Sequence, residues 1–292
     1  MPIIDAHCHA WRRWPYQPPA PDPDSRGVVE QLLFEMDAAG VEQAVVVCAR
    51  ITHNPDDNDY VAECVRRYPG RLHQLADVDC SWSETYHTPG AAGRLAEAAD
   101  RYPLVGFTHY VKGDDDGSWF LSDEGLAFFQ VAEARRLIAS LALPPRLQPV
   151  LRRVAERFPS APFLVHHMGG PKAVEALPYP VFKEILASAA VPNVSVKLSG
   201  FHYAAPVAWE YPYSDCAWLV RGLYEHFGPD RLCWGSDYPV VRKAMTYRQS
   251  LEAVRTHCPF IPQEHKARIL GGNLERLIDA TGRTTGARAA GA

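Results

Sequence analysis

The chain has 292 residues, 47% hydrophobic and 22% charged, with a formal net charge of −4, the composition of an ordinary folded globular protein. No basic stripe is present and no apolar run reaches the length of a membrane span, which argues against nucleic-acid and membrane partners. Its seven cysteines (8, 48, 64, 80, 216, 233, 258) are odd in number and scattered without a CxxC pair, a pattern that suits a reducing cytoplasm rather than a disulfide framework; no signal-peptide pattern leads the chain.

The first element is a strand over 3–9, Ile3-Ile4-Asp5-Ala6-His7-Cys8-His9. Side chains on a strand alternate faces, so His7 and His9 project the same way. Two imidazoles at a strand end suit a divalent metal or a paired acid/base role; the plainer alternative is a chance pair in a chain with 12 histidines. The loop over 11–25 is dense in proline and aromatics, fit for a stiff substrate wall or a barrel cover. A helix over 28–39 stops at Gly40. Strands follow over 43–49, 72–78 and 104–111, and the loop over 112–119 carries Asp114-Asp115-Asp116-Gly117.

A fifth strand spans 136–142, and a helix over 146–158 places Leu147, Val150, Leu151, Val154, Ala155 and Phe158 on one face. The sixth strand, over 162–168, ends in His166-His167; adjacent strand residues face opposite ways, so one of the two looks into the interior. A seventh strand spans 193–199, followed by a Tyr- and Trp-rich loop over 202–215 and a helix over 218–227 that stops at Gly228. The eighth strand, over 231–236, runs into Asp237-Tyr238-Pro239. Residues 281–292, rich in Gly, Ala, Thr and Arg, read as a frayed tail, which leaves 1–280 as one domain.

Eight strand–helix units in a chain of this size predict the α/β class and a single-domain (β/α)8 barrel. The competing doubly wound sheet usually carries a glycine-rich turn after its first strand, where this chain has His-Cys-His-Ala-Trp. Barrel closure sets the eighth strand beside the first and Asp237 beside His7 and His9. An aspartate closing a buried strand is unfavourable unless paired or metal-bound, its other common role being a helix N-cap. A third imidazole from the sixth strand completes a His/His/His/Asp set at the C-terminal rim, where barrel active sites lie.

The stretches Asp5-Ala6-His7-Cys8-His9-Ala10-Trp11, His167-Met168-Gly169 and Gly235-Ser236-Asp237-Tyr238-Pro239 resemble the amidohydrolase superfamily. Within it the chain is similar to the amidohydrolase-related (amidohydrolase 2) branch that contains sugar-lactone and dicarboxylate-lactone hydrolases. Val196-Lys197-Leu198-Ser199-Gly200 and Gly272-Asn273 extend the resemblance, which runs from about residue 3 to residue 278. It implies a distorted barrel, with His7 and His9 serving a metal or the substrate carbonyl, His167 as the strand-six histidine and Asp237 as general base. Two departures bear on chemistry. The fifth strand has no histidine, where decarboxylases and many zinc hydrolases of the superfamily place a ligand and the lactonase-like branch does not. The branch commonly has arginine where Thr108 stands and aspartate where His166 stands, which leaves the substrate open.

The expected activity is hydrolysis of a small lactone or related cyclic carbonyl compound. Asp237 takes a proton from water, the hydroxide attacks the carbonyl, and Asp237 returns the proton to the leaving alkoxide. His7, His9 and His167 polarise the carbonyl, directly or through a divalent metal, zinc first, ligated by His7, His9, His167 and Asp237. His109 is a candidate catalytic neighbour. Candidate substrate contacts are Trp11, Lys197, Tyr203, Tyr238 and Arg242, and Arg12 and Lys112 are exposed loop charges. The alternatives are a metal-dependent non-oxidative decarboxylase of an aromatic or unsaturated acid and a non-catalytic ligand-binding barrel. The expected partner is a small-molecule substrate, with homo-oligomerisation left open.

Overall fold

Each of the eight apolar runs forms a strand in the computed structural model, which describes residues 1–16 and 20–283. They are β1 (Ile4–Cys8), β2 (Gln43–Val47), β3 (Leu72–Asp77), β4 (Leu104–Tyr110), β5 (Ile138–Ala142), β6 (Phe163–Val165), β7 (Val194–Leu198) and β8 (Leu232–Trp234). All pair in parallel, in sequence order. Between them run α1 (Val29–Ala39), α2 (Asp57–Arg67), α3 (Ala91–Arg101), α4 (Asp123–Ala134), α5 (Gln148–Arg157), α6 (Pro180–Ala187), the short α7 (Phe201–Ala204) and α8 (Ala217–Phe227). After β8 come α9 (Tyr247–Arg255), α10 (Gln263–Ala267) and α11 (Asn273–Thr281). Beyond the ends of β8 and β1, His9 N donates to Tyr238 O and Asp237 N donates to His7 O, which makes a nearly closed (β/α)8 barrel of one domain.

The strands alternate between two cores. Ile4, Ala6, Val45, Val47, Leu75, Val105, Ile138, Leu164 and Cys233 meet inside the barrel and are plugged from below by Leu274 and Ile278 of α11. Cys8, Ala44, Val46, Phe107, Ala139, Phe163, Val196 and Trp234 face the helical layer. There Phe107 packs edge-on against Phe128 of α4, and a fully buried phenylalanine contributes about 2 kcal/mol. The last helix carries ordered structure through Thr281, and Arg283 donates to Ala99 O; residues 284–292 of the expected tail lie outside the described residues, as do 17–19 of the first loop. No helix among the described residues is long and apolar enough to cross a membrane. All seven cysteines are buried and unpaired.

Candidate active site

Three local departures from regular strand geometry assemble the rim. In β1 the register against β2 slips between Asp5 and Cys8, so that one extra residue sits on β1. Such a bulge re-aims side chains: Ala6 and then His7 and His9 turn inward while Cys8 turns to the helices. At the end of β6 the strand stops at Val165, and His167 and Met168 take left-handed backbone at φ 47° and 57°. Asp237, just past β8, is also left-handed at φ 61°, a conformation that non-glycine residues hold only where their surroundings fix it.

Here the fixing groups are visible. Asp5 accepts hydrogen bonds from the backbone N–H of His7 and Ser236, the Ser236 hydroxyl and the Tyr247 hydroxyl, clamping the β1–β8 seam. Gly235 permits that approach, because a Cβ there would stand 2.7 Å from His7 Cβ. Gly200, at φ +69°, lets the loop after β7 turn close beside His167, because a Cβ there would stand 2.8 Å from His167 Nδ1.

The carboxylate of Asp237 is the hub, and its two oxygens face different company. Oδ1 lies 3.5 Å from His7 Nε2, 3.7 Å from His9 Nε2 and 4.0 Å from His167 Nε2. Oδ2 accepts from the Tyr203 hydroxyl at 2.9 Å and lies 3.8 Å from His202 Nε2. His9 Nδ1 donates to Val47 O at 2.6 Å, which leaves its Nε2 lone pair facing the carboxylate. His167 Nδ1 pairs with Ser199 Oγ at 3.0 Å.

Beneath this set lies a buried polar chain. Lys197 donates to Ser140 Oγ at 2.8 Å and sits 3.1 Å from His7 Nδ1, and Ser140 Oγ lies 2.6 Å from His166 Nε2. A neutral Lys197 accepts a hydrogen bond from His7 Nδ1–H and leaves Nε2 free as a ligand, whereas an ammonium donates to Nδ1 and keeps the imidazole proton on Nε2.

Burial dominates the electrostatics. It depresses His7 and His166 well below the ordinary histidine range, with Lys197 adding to the effect, and brings His167 to about 4. Burial also brings Lys197 down to about 7. For Asp237 burial pushes the carboxyl up, but His167, His9 and His202 outweigh it and hold it below the usual carboxylate range. Neutral His7 and His167 beside an ionised carboxylate give the protonation pattern a divalent cation requires. His7 Nε2 is buried with no hydrogen-bond partner, and His7, His9 and Asp237 offer ligand atoms within 4.8 Å of one another, as do His7, His166 and His167. The donor set therefore fits a metal of the zinc type.

The structure brings His7, His9, His167, Asp237, Lys197 and Tyr203 together. It separates His109 from them. On β4, Thr108 pairs in register with Ser140, and Tyr110 reaches the His166 ring at 5.1 Å, so both face the interior. His109 is thereby turned out, with Nε2 3.1 Å from His87 Nε2 and Nδ1 on Val78 O, among Tyr86, Trp119, Phe120 and Phe128.

Trp11 and Tyr238, expected as substrate walls, are fully buried: Trp11 donates to Ala49 O and stacks behind His9 at 4.9 Å, and Tyr238 packs on Tyr247. Arg242 is exposed; its neighbour Lys243, with Nζ 3.9 Å over the Tyr16 ring, is the cation that feels Asp237. Arg12 is held by Asp56 and Glu63, and Lys112 lies over Tyr86. His166, expected to compete with His167 for the interior, shares it, because alternation ends where β6 does. Sequence reasoning missed His202, Ser140, Tyr16 and Tyr110. The phase of β4 relative to β5 would have found Tyr110 and Ser140; no periodicity marks His202 in its loop.

A family profile described as amidohydrolase matches residues 4–279. The chain is 28% identical over 282 residues to an L-fucono-1,5-lactonase of Burkholderia ambifaria, an alignment covering 92% of this chain and 93% of the relative. It is 27% identical over 290 residues to a 4-sulfomuconolactone hydrolase of Hydrogenophaga intermedia, covering 94% and 88%. Among solved structures, an amidohydrolase from Burkholderia multivorans with bound zinc superposes with a TM-score of 0.78 at 21% identity, covering 96% of this chain and 99% of that one.

Proposed function

The chain belongs to the amidohydrolase family, and from that premise we propose that it opens a small lactone or related cyclic carbonyl compound, with Asp237 as general base. The observation that carries this reading is the divided environment of Asp237: three imidazoles face Oδ1, and Tyr203 and His202 face Oδ2. A carboxylate held ionised in this way accepts a proton from water and returns it to the departing ring oxygen. His167, fixed by Ser199, and His7, fixed by Lys197, orient the carbonyl. Tyr203, a residue 41% exposed, holds Oδ2 in place.

His7, His9 and Asp237, with His167, would hold a divalent ion, zinc first, which supplies carbonyl polarisation and a more acidic water. The names of the two curated relatives, both of which open lactones, support the reaction class. The serine at 140 supports hydrolysis over decarboxylation, because β5 offers no histidine for a further ligand. The buried, unpaired thiols suit a cytoplasmic enzyme. The test is a panel of five- and six-membered lactones followed by acid release at constant pH. Turnover by the wild type should fall by about 10³-fold in Asp237→Asn with the circular dichroism unchanged. Retention of full activity by that variant would remove Asp237 from the chemistry.

A further inference from the structure

His202 is the anomaly of the site. Its side chain is 7% exposed, and neither ring nitrogen has a hydrogen-bond partner. Each buried polar group left in that state costs about 1–3 kcal/mol, so the arrangement asks for a ligand that completes it. The ring is not loosely held: it lies against Tyr203 with centroids 3.9 Å apart, at the start of α7, and Tyr203 is itself bonded to Asp237. Burial keeps the imidazole below its ordinary pKa, hence neutral, with one N–H to give and one lone pair to fill.

The distance to the carboxylate is informative. At 3.8 Å, His202 Nε2 and Asp237 Oδ2 are too far apart to bond to each other. One oxygen placed about 2.8 Å from both would subtend about 85° between them, an ordinary hydrogen-bonding arrangement. Oδ1 faces His7, His9 and His167, the imidazoles assigned to the carbonyl, and Oδ2 faces His202, which sets the attacked carbonyl on the first side and the ring oxygen on the second.

We propose that His202 binds the departing ring oxygen of the substrate, donating a hydrogen bond from its neutral N–H as the carbonyl carbon–oxygen bond breaks. This rests on the lactone reading above. In the balanced step, water oxygen bonds to the carbonyl carbon, the ring carbon–oxygen bond breaks, and the proton taken from water passes from Asp237 Oδ2 to the ring oxygen. His202 gains and loses no proton; it stabilises negative charge on the oxygen until the proton arrives. Its contribution is therefore largest where the leaving oxygen is most basic.

The experiment compares δ-valerolactone, which expels an alkoxide, with dihydrocoumarin, which expels a phenoxide, in the wild type, His202→Phe and His202→Gln. Expected for His202→Phe is a loss of about 100-fold in kcat/KM on δ-valerolactone and less than about 3-fold on dihydrocoumarin. His202→Gln, which keeps an N–H donor, should recover about 10-fold of the loss. If His202→Phe does not fold, the unequal loss of His202→Gln on the two lactones carries the test. Equal losses on both lactones, or none on either, overturn the proposal while the lactone reading stands. A wild type inert to both overturns the lactone reading, and the proposal with it.

Discussion

Replacing Lys197 with methionine keeps an unbranched stem inside the barrel and removes the amine that lies between Ser140 and His7. Lys197 is fully buried, and burial lowers it from 10.5 to about 7. The unfolded chain therefore holds a proton between those two values that the folded chain has lost, and stability rises with pH across that window. Below about pH 7 both states are protonated and the contribution is flat; above about 10.5 both are neutral and the penalty has vanished.

With those two values, wild-type stability gains about 3 kcal/mol from this one group between pH 7 and 9.5. Methionine exchanges no proton, so the unfolding free energy of the wild type minus that of Lys197→Met should climb by the same amount, the other titrating groups cancelling. Urea unfolding of both proteins at pH 7, 8 and 9.5, in the presence of a chelator, measures it. The variant folds under this reasoning, since an apolar side chain of similar volume replaces a buried charge. A difference that stays level across the three pH values would refute the perturbed lysine.

Elemental analysis of protein prepared without chelator should give about one divalent ion per chain, and the double variant His7→Ala/His9→Ala less than about a tenth of that; equal metal in both would put the ion elsewhere. His109→Leu should lower stability by about 2 kcal/mol in thermal melts, from the lost bonds to His87 and Val78, while lactone kcat/KM stays within about three-fold. A large loss of turnover at unchanged melting temperature would return His109 to the site. Gly200→Ala, at φ +69° and with a Cβ 2.8 Å from His167 Nδ1, should cost about 1–3 kcal/mol and reduce turnover by displacing that ring; an unchanged melting curve and rate would contradict the close approach.

Hydrophobic pattern sufficed for the barrel because eight buried parallel strands write themselves as eight apolar runs, and closure of such a barrel by itself sets Asp237 against His7 and His9. Facing was legible only where a strand stays regular. On β4 the phase that turns Thr108 and Tyr110 inward turns His109 out, and that phase is set by Ser140 across the sheet rather than by β4 itself. At His166 and His167 alternation failed because the chain leaves strand geometry at Val165 and bends through left-handed backbone. Depth was invisible in the loops: Trp11 and Tyr238 look like rim aromatics in sequence, yet hydrogen bonding and packing draw them behind it. His202 gives no pattern at all, since its position depends on Gly200 letting the loop turn beside His167.

The seam between β1 and β8 has a consequence for how the protein gains and loses activity. Asp5 and Ser236, 231 positions apart, help to join the first strand to the eighth, and the reacting groups sit on that junction. Closing so long a loop is entropically demanding, and its rewards come only after the intervening strands have docked. Activity is therefore a reporter of completed assembly. Under mild denaturant turnover should vanish while most of the helical signal survives, because fraying of one five-residue strand at the N-terminus dissolves the junction and leaves the other seven strands paired.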